Sequence, residues 1–287
     1  MRAVLRLEIK LIGYPLEHSI SPVFQQVALD DCGIKGDYIA CSVPESMLAD
    51  EVEKIRADFC LGANVTIPYK EKVIPMLDKI DSVASKLGAV NTIVKEDNQL
   101  VGYNTDLYGF TKGLIDYGGF NPDGKKALIF GAGGAARAAA FGLVDQNVSS
   151  LTIINRNYQR ALSLSNELIS HGFTCFAESL DYENIQDIIA KSDLIVNSTP
   201  LGMNKHNEER MSILNSNKLR KSTYVYDLVY SPIQTPLIAQ ANAVGAKTLG
   251  GLPMLIYQGA SAFTMWTSRE APVELMFEAA NKALNIK

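Results

Sequence analysis

The chain has 287 residues, 47% of them hydrophobic and 20% charged, which is ordinary for a globular protein long enough to form two domains. Its formal charge of −4 argues against nucleic acid or an anionic membrane as the main partner. The four cysteines show no C-x-x-C spacing, so the sequence predicts neither a metal site nor a disulfide framework.

The N-terminal residues contain Arg2, Arg6, Glu8 and Lys10, which leave no apolar stretch typical of a secretory signal. The longest weakly polar window, residues 127–144, includes a glycine-rich turn and is better explained by a strand, a turn and a helix than by a membrane span. We therefore expect a cytoplasmic protein.

Strands and helices alternate in the first part of the chain. A half-buried strand is predicted over 7–12. A helix is predicted over 21–32, with Ser21 as its N-cap, Pro22 in its first turn and Gly33 as its stop. Further strands are predicted near 38–43, 61–66, 90–94 and 100–103, and further helices near 45–57, from Pro68 and near Ser82.

Two serines precede the predicted helix at 21–32. Ser19 and Ser21 are two residues apart in an extended segment, so their hydroxyls point the same way next to a helix N-terminus. This arrangement suits a carboxylate of a small ligand. A second interpretation, in which Ser21 only caps the helix, stays open.

A second polar segment follows the strand predicted at 61–66. Asn64 and Thr66 share one face of that strand, and Lys70 is expected in the first turn of the next helix. The positive end of the helix dipole disfavours a charged lysine there, which suits a general acid or base. The alternative, an ordinary surface lysine, stays open.

Polar residues also mark the ends of the next strands. Asp106 either caps a helix predicted over 104–117 or acts as the partner of Lys70, and Asn91 would add a group that binds hydroxyls. The glycine-rich segment 118–124 is predicted to be a hinge between two domains.

The segment 126–160 has the pattern of a dinucleotide-binding unit. A short apolar strand at 126–130 ends in the G-x-G-x-x-A spacing formed by Gly131, Gly133 and Ala136. These small residues permit a tight turn, a close approach of a pyrophosphate, and close packing of a helix on the strand. Phosphates are then expected at the N-terminus of that helix.

The strand predicted at 151–154 ends without the acidic residue that binds the ribose of NAD. Arg156 and Arg160 lie there instead, four residues apart, where two guanidinium groups can reach one phosphate if a helix begins at Asn157. This pattern favours NADP. The alternative, two solvated surface arginines, stays open.

The rest of the chain continues the alternation. Strands are predicted at 173–176, 194–196 and 224–229, and helices at 254–267 and 273–284. Alternating strands and helices predict a parallel sheet with helices on both faces.

Nine short motifs occur in the order in which they occur in shikimate dehydrogenases, so the chain resembles the shikimate/quinate dehydrogenase family over essentially its whole length. They are S-I-S-P at 19–22, N-V-T-I-P-Y-K at 64–70, G-A-V-N-T at 88–92, N-T-D at 104–106, G-A-G-G-A-A at 131–136, N-R-N-Y-Q-R at 155–160, N-S-T-P-L-G-M at 197–203, D-L-V-Y at 227–230 and G-G-L-P-M-L-I-Y-Q-G-A at 250–260.

The resemblance implies an α/β fold with two α/β domains. Residues 1–105 and 252–287 would form the substrate-binding and catalytic domain, to which the C-terminal helices return. Residues 106–251 would form a Rossmann-like, doubly wound NADP domain. The expected partner is the small-molecule substrate, shikimate or 3-dehydroshikimate, and both a monomer and a homodimer stay open.

The resemblance also implies residue roles. Lys70 and Asp106 would be the catalytic pair, and Ser19 and Ser21 would hold the substrate carboxylate. The ring hydroxyls would be bound by Asn64, Thr66, Asn91, Asp106, Tyr230 and Gln258. The cofactor would be bound by Gly131, Ala132, Gly133, Gly134 and Ala135 at its phosphates, by Asn155, Arg156, Asn157 and Arg160 at its adenosine, and by Leu228 and Gly251 at its nicotinamide.

The implied activity is the reversible, NADPH-dependent reduction of 3-dehydroshikimate to shikimate in aromatic amino acid biosynthesis. Three alternatives stay open: a dehydrogenase that also takes quinate or uses NAD, a dehydrogenase for an amino-substituted relative of shikimate, and a non-catalytic NADPH sensor. Both serines are present, which favours shikimate, and both members of the Lys70 and Asp106 pair are present, which disfavours the sensor. The chain departs from common family residues at Gln25-Gln26, Tyr69 and Leu107.

Overall fold

The computed structural model describes residues 6–181, 185–203 and 218–286. Contacts within the chain divide it into two compact units. The first unit is Met1–Thr105 with Ile256–Lys287, and the second unit is Asp106–Leu255.

The first unit is built on a six-stranded mixed sheet with the order β2-β1-β3-β5-β6-β4. Strands β1, β2 and β3 are parallel, whereas β5 is antiparallel to both β3 and β6. The strands are β1 (Leu7–Gly13), β2 (Gly36–Ser42), β3 (Cys60–Val65), β4 (Lys79–Ile80), β5 (Thr92–Glu96) and β6 (Gln99–Tyr103). The helices that follow these strands are α1 (Ser21–Asp31), α2 (Leu48–Glu53) and α3 (Ser82–Leu87).

The second unit is built on a six-stranded parallel sheet with the order β12-β11-β10-β7-β8-β9. Its strands are β7 (Lys126–Phe130), β8 (Ser150–Asn155), β9 (Cys175–Ser179), β10 (Leu194–Asn197), β11 (Tyr224–Asp227) and β12 (Lys247–Leu249). Its helices are α4 (Asp106–Lys112), which continues as a π-helical turn (Gly113–Tyr117), α5 (Gly134–Asp145), α6 (Tyr158–Ser170), α7 (Ile185–Lys191) and α8 (Pro236–Ala243). This is the doubly wound order in which the direction of winding reverses between β7 and β10.

Two helices end the chain, α9 (Leu252–Thr267) and α10 (Val273–Ala283). Helix α10 packs against α1, and the Gln25 side-chain amide donates to the Gly259 carbonyl at 3.0 Å. The predicted fold class is confirmed, including the return of the C-terminal helices.

The apolar patterns explain the two cores. All residues of β7 from Ala127 to Phe130 are buried, as expected for a central parallel strand that is covered on both faces. The first unit also buries an ion pair of 2.7 Å between Lys10 on β1 and Glu51 on α2.

Two local predictions are wrong. No helix begins at Pro68, because the Lys70 carbonyl accepts a hydrogen bond from the Val90 amide at 2.8 Å and is therefore not available to continue a helical ladder. The N-cap of α1 is Ile20 and not Ser21, which is the first helical residue. The helix predicted near 45–57 is present as α2 between two 3-10 turns.

Within the described ranges, no helix combines the length and the hydropathy that a membrane span requires.

Candidate active site

The two serines lie within one turn at the start of α1. The Ser19 hydroxyl accepts a hydrogen bond from the Ser21 amide at 3.3 Å, and Ser21 is 7% exposed. Residues 14–20 form the loop between β1 and α1, and Ser21 is the first residue of the helix. The Ser19 hydroxyl thus contacts one of the first amides of α1, which lack partners within the helix.

Three of the predicted substrate residues belong to one buried hydrogen-bonded network in the first unit. The Asn91 side-chain nitrogen donates to Thr105 Oγ1 at 2.9 Å and to Gln258 Oε1 at 3.3 Å. The Asn91 carbonyl receives the Asn64 side-chain amide at 3.1 Å. The network thus joins the end of β3, the start of β5, the segment after β6 and the middle of α9.

Asn64 is held on both sides. Its nitrogen donates to the Asn91 carbonyl and to Thr92 Oγ1 (3.2 Å), while its oxygen accepts from the Tyr38 hydroxyl at 2.7 Å. Thr66, two residues further, is half-buried where β3 ends, and its amide donates to the Ile12 carbonyl at 2.9 Å.

Lys70 lies in a turn and is half-buried. The adjacent Tyr69 is 1% exposed and donates its hydroxyl hydrogen to the Val43 carbonyl at 2.7 Å. Lys70 is positioned in this turn by the hydrogen bond from the Val90 amide to its carbonyl and by the buried side chain of Tyr69, and not by a helix. The argument from a helix dipole therefore does not apply to Lys70.

Asp106 is the first residue of α4 and is 5% exposed. The residues before it are fixed by the first unit: the Thr105 amide donates to Asn91 Oδ1 at 2.8 Å, and the Asn104 side chain donates to the Ala89 carbonyl at 2.8 Å. The strand end that leads into Asp106 is thus rigidly held.

The glycine-rich turn has the shape that a dinucleotide requires. Gly131 has φ +110°, and a Cβ there would lie 2.3 Å from Ser198 Oγ, so no other residue fits. A Cβ on Gly133 would meet no atom within 4 Å, which leaves the space that a pyrophosphate occupies. Helix α5 begins at Gly134, and Ala136 is fully buried against the sheet. The residues present therefore fit a dinucleotide.

The end of β8 is polar and carries no acidic residue. Asn157 caps α6 through a hydrogen bond from the Gln159 amide at 3.1 Å, and the Asn155 side chain donates to the Asn157 carbonyl at 2.9 Å. Arg156 and Arg160 are exposed. In the ranges that the structure describes, neither guanidinium forms an ion pair. Helix α6 begins at Tyr158, one residue after the position from which the reach of the two arginines is predicted, and Asn157 is its cap.

The end of β11 is fixed by a buried carboxylate. Asp227 accepts hydrogen bonds from the Asn197 side chain (2.8 Å), the Thr235 hydroxyl (2.6 Å) and the Val229 amide (3.1 Å). Burial raises the pKa of Asp227. These contacts hold the segment that carries Leu228 and Tyr230.

Leu228 and Gly251 are close to each other. A Cβ on Gly251 would lie 2.0 Å from the Leu228 carbonyl oxygen. Tyr230 is half-buried, and burial raises its pKa.

Sequence reasoning missed the residues that hold these groups in place. Thr105, Asn197 and Asp227 all lie inside the motifs quoted above, but the sequence does not show that their side chains hold neighbouring segments in place. Tyr38 lies outside every motif, and it comes near Asn64 because β1 pairs with β2 on one side and with β3 on the other.

The cysteines are free. Among the residues that the structure describes, no group of three His, Cys, Asp or Glu side chains could hold a metal ion.

A doubly wound sheet with a dinucleotide turn, together with a unit that gathers amide and hydroxyl side chains at its strand ends, defines a nicotinamide-dependent oxidoreductase of small polar substrates. Family models match in three parts: the shikimate dehydrogenase substrate binding domain at residues 11–93, shikimate / quinate 5-dehydrogenase at 118–243, and the shikimate 5'-dehydrogenase C-terminal domain at 251–280. The chain belongs to the shikimate dehydrogenase family.

Individual relatives are similar to this chain over nearly its full length. The shikimate dehydrogenase (NADP(+)) of Moorella thermoacetica is 43% identical over 277 residues, which is 96% of this chain and 93% of the relative. A crystal structure of a shikimate dehydrogenase in complex with NADP+ superposes with a TM-score of 0.89 at 38% identity, over 99% of this chain and 98% of the other. Shikimate 5-dehydrogenase from Listeria monocytogenes in complex with shikimate and NAD has a TM-score of 0.89 at 34% identity, over 97% of each chain.

Proposed function

We propose that this chain catalyses the reversible, NADP-dependent interconversion of 3-dehydroshikimate and shikimate in aromatic amino acid biosynthesis. The observation that carries the proposal is the buried network of Asn64, Asn91 and Gln258, which gathers hydroxyl-binding side chains at the strand ends of the first unit. The family match and the names of the relatives support the same reaction.

The proposed substrate site has an anionic part and a hydroxyl part. Ser19 and Ser21 bind the carboxylate through their hydroxyls, beside the N-terminus of α1. The amides and hydroxyls that bind the ring hydroxyls are those of Asn64, Thr66, Asn91, Tyr230 and Gln258, together with the carboxylate of Asp106.

Lys70 is proposed as the proton donor and acceptor. In the reductive direction its Nζ gives a proton to the oxygen that develops negative charge, and in the oxidative direction it takes that proton back. The Asp106 carboxylate accepts a hydrogen bond from the same hydroxyl and so fixes its orientation. When bound, NADPH supplies the hydride.

The cofactor is proposed to lie along the carboxyl ends of the second sheet. Gly131 to Ala135 give backbone amides and open space to the pyrophosphate, and Arg156 and Arg160 bind the 2′-phosphate that distinguishes NADP from NAD. Asn155 and Asn157 contact the adenosine, and Leu228 and Gly251 border the nicotinamide. Residues 1–105 and 252–287 accordingly form the substrate domain, and residues 106–251 form the NADP domain.

A cytoplasmic location and a homodimer complete the proposal. Four free cysteines are compatible with a reducing compartment. Strand β2 lies at the edge of its sheet with Ile39 exposed, which offers a surface to a second copy. Fractionation of cells tests the cytoplasmic location, and sedimentation of the purified protein tests the homodimer.

The reaction is tested by incubating the purified protein with shikimate and NADP and by identifying the product chromatographically. Formation of 3-dehydroshikimate in step with reduced NADP is expected. Reduced cofactor without this product would contradict the proposed substrate.

A further inference from the structure

Tyr38 on β2 reaches the proposed substrate residue Asn64, although it belongs to none of the family motifs. Its side chain is 6% exposed, and its hydroxyl lies 2.7 Å from Asn64 Oδ1. The role of this contact depends on which way the Asn64 amide points.

The surroundings of Asn64 fix that direction. The Asn91 carbonyl oxygen can only accept, and it lies 3.1 Å from Asn64 Nδ2. Thr92 Oγ1 gives its own hydrogen to Asn91 Oδ1 (3.0 Å), so it accepts the second Asn64 N–H at 3.2 Å. Both N–H groups of Asn64 are therefore used inside the protein, and the atom that faces Tyr38 is the oxygen.

This assignment determines what Asn64 can offer to a ligand. Its oxygen has two lone pairs, and the Tyr38 hydroxyl occupies one of them. We infer that Tyr38 is a positioning residue: the Asn91 carbonyl and Thr92 Oγ1 orient Asn64 as a hydrogen-bond acceptor, and the Tyr38 hydroxyl holds its oxygen in place, so that this side of the site selects a ring hydroxyl that donates. The inference rests on the proposed function, in which Asn64 contacts the substrate.

Tyr38 is itself held in place by contacts of its ring and of its main-chain amide. Its ring packs 6.3 Å from the ring of Trp266, whose indole N–H donates to the Ile93 carbonyl at 2.9 Å. Its amide donates to the Gln26 side chain at 3.0 Å, and the same side chain donates to the Gly36 carbonyl at 3.1 Å. Gln26 is one of the departures from common family residues, and here it ties α1 to the strand that carries Tyr38.

The protonation state of the Tyr38 hydroxyl agrees with its role as a hydrogen-bond donor. Burial raises the pKa of Tyr38 well above its ordinary value, so the hydroxyl keeps its hydrogen throughout the working pH range.

A double-mutant cycle tests whether Tyr38 acts through Asn64. Tyr38→Phe should raise the KM for shikimate ~3- to 10-fold, the effect of about one hydrogen bond, and leave the KM for NADP unchanged. In an Asn64→Ala background the same substitution should cause no further rise. Equal rises in both backgrounds, or no rise in either, would overturn the inference.

Tyr224→Phe is the matched control. Tyr224 is also 6% exposed, and its hydroxyl donates to the Gly118 carbonyl at 2.9 Å within the second unit. Its loss should leave the KM for shikimate unchanged, which separates the effect on Asn64 from the general effect of removing a buried hydroxyl.

A second experiment keeps Tyr38 intact and varies the ligand. Analogues of shikimate with fluorine in place of one ring hydroxyl cannot donate at that position. One of them should bind about tenfold more weakly to the wild-type protein and show no such loss with Asn64→Ala. If every analogue loses the same factor with both proteins, Asn64 does not select a donor. Absence of any shikimate oxidation by the wild-type protein would instead contradict the proposed function.

Discussion

Lys70 is the residue on which the proposed proton transfer depends. Lys70→Ala removes the proton donor and leaves the hydroxyl-binding side chains in place. We expect kcat to fall by ~10²–10⁴ with little change in the KM for shikimate, measured from initial rates.

The neighbouring Lys72 provides the control. Lys72 is 44% exposed and pairs with Glu45 on the surface, so Lys72→Ala should leave kcat close to that of the wild type. A large rise in the KM of Lys70→Ala at unchanged kcat would show that Lys70 only binds the substrate.

Arg156 and Arg160 determine the preference for NADP in this account. Replacing both with Gln removes charge-assisted hydrogen bonds to the 2′-phosphate, which are worth about 1.5–3 kcal/mol each when formed to a charged group. The loss of both amounts to about 3–6 kcal/mol, so we expect the KM for NADP to rise by about two to four orders of magnitude and the KM for NAD to change little. Added salt should weaken NADP binding to the wild type more than to the variant.

Arg6→Gln serves as the control for this prediction, because Arg6 forms a surface ion pair with Asp37 at 2.6 Å in the first unit. It should not alter the ratio of the two KM values. An equal rise in KM for NADP and NAD in the Arg156 and Arg160 variant would contradict a role in recognising the 2′-phosphate.

For single residues, the sequence indicates candidates for ligand contact more readily than the side chains that hold those candidates in place. Asn64, Asn91 and Gln258 lie in recognisable motifs, and the structure joins them in one network. Tyr38 could not be predicted, because its contact with Asn64 spans 26 residues and depends on the register of β1 with β2 and β3.

The junction of β11 with α9 depends on Gly251. A Cβ at this position would lie 2.0 Å from the Leu228 carbonyl oxygen, and the main chain would have to move. We expect Gly251→Ala to lower the unfolding temperature and to weaken NADP binding, measured by thermal unfolding with and without the cofactor.

A substitution of the adjacent Gly250 is the control for this prediction. A Cβ on Gly250 would meet only Ile238 Cδ1 at 3.8 Å, an ordinary contact. Gly250→Ala should therefore bind NADP as the wild type does, and equal effects of the two substitutions would contradict the role of the Leu228 contact.

The ion pair between β1 and α2 makes the stability of the first unit depend on pH. Burial alone would raise the pKa of Glu51, but hydrogen bonds from Lys10 and Lys54 lower it to about 2. A lowered carboxyl pKa means that the stabilisation is complete above the ordinary carboxyl pKa of about 4.3 and is lost as the pH falls toward 2. Glu51→Gln should cost about 3–5 kcal/mol near pH 7, because it leaves Lys10 buried without its counter-charge.

Chemical denaturation across a pH series measures this effect. The difference between wild type and Glu51→Gln should be constant from pH 7 to about 5 and should narrow at lower pH. Glu45→Gln, at the exposed pair with Lys72, should cost less than about 1 kcal/mol. A difference that widens on acidification would contradict the assigned direction of the pKa shift.

Elements with strong local signals were predicted well, and those fixed by distant contacts were not. The strand, turn and helix from Lys126 to Asp145 follow from apolar runs and glycine spacing. The turn at Lys70 depends on a hydrogen bond from Val90, and β4 has only two residues, Lys79 and Ile80. The propensities of residues over a short stretch of sequence predict neither the hydrogen bond from Val90 nor so short a strand.

For the molecule as a whole, alternation of strands and helices predicted the parallel sheet of the second unit. The same alternation did not predict the sheet of the first unit, in which β5 runs antiparallel to β3 and β6. The reason is local: β5 and β6 are separated only by Asp97 and Asn98, both with positive φ, and a two-residue turn forces a hairpin.

The most direct test of the account is a comparison of kcat/KM for shikimate and quinate, each with NADP and with NAD, by absorbance of the reduced nicotinamide. We predict that shikimate with NADP is by far the best combination, because quinate carries an extra hydroxyl on the carbon that bears the carboxylate, where Ser19 and Ser21 are proposed to bind, and because Arg156 and Arg160 are proposed to bind the 2′-phosphate. Equal or better turnover of quinate, or a preference for NAD, would contradict the assigned specificity. Binding of NADPH without turnover of either substrate would contradict the catalytic role itself.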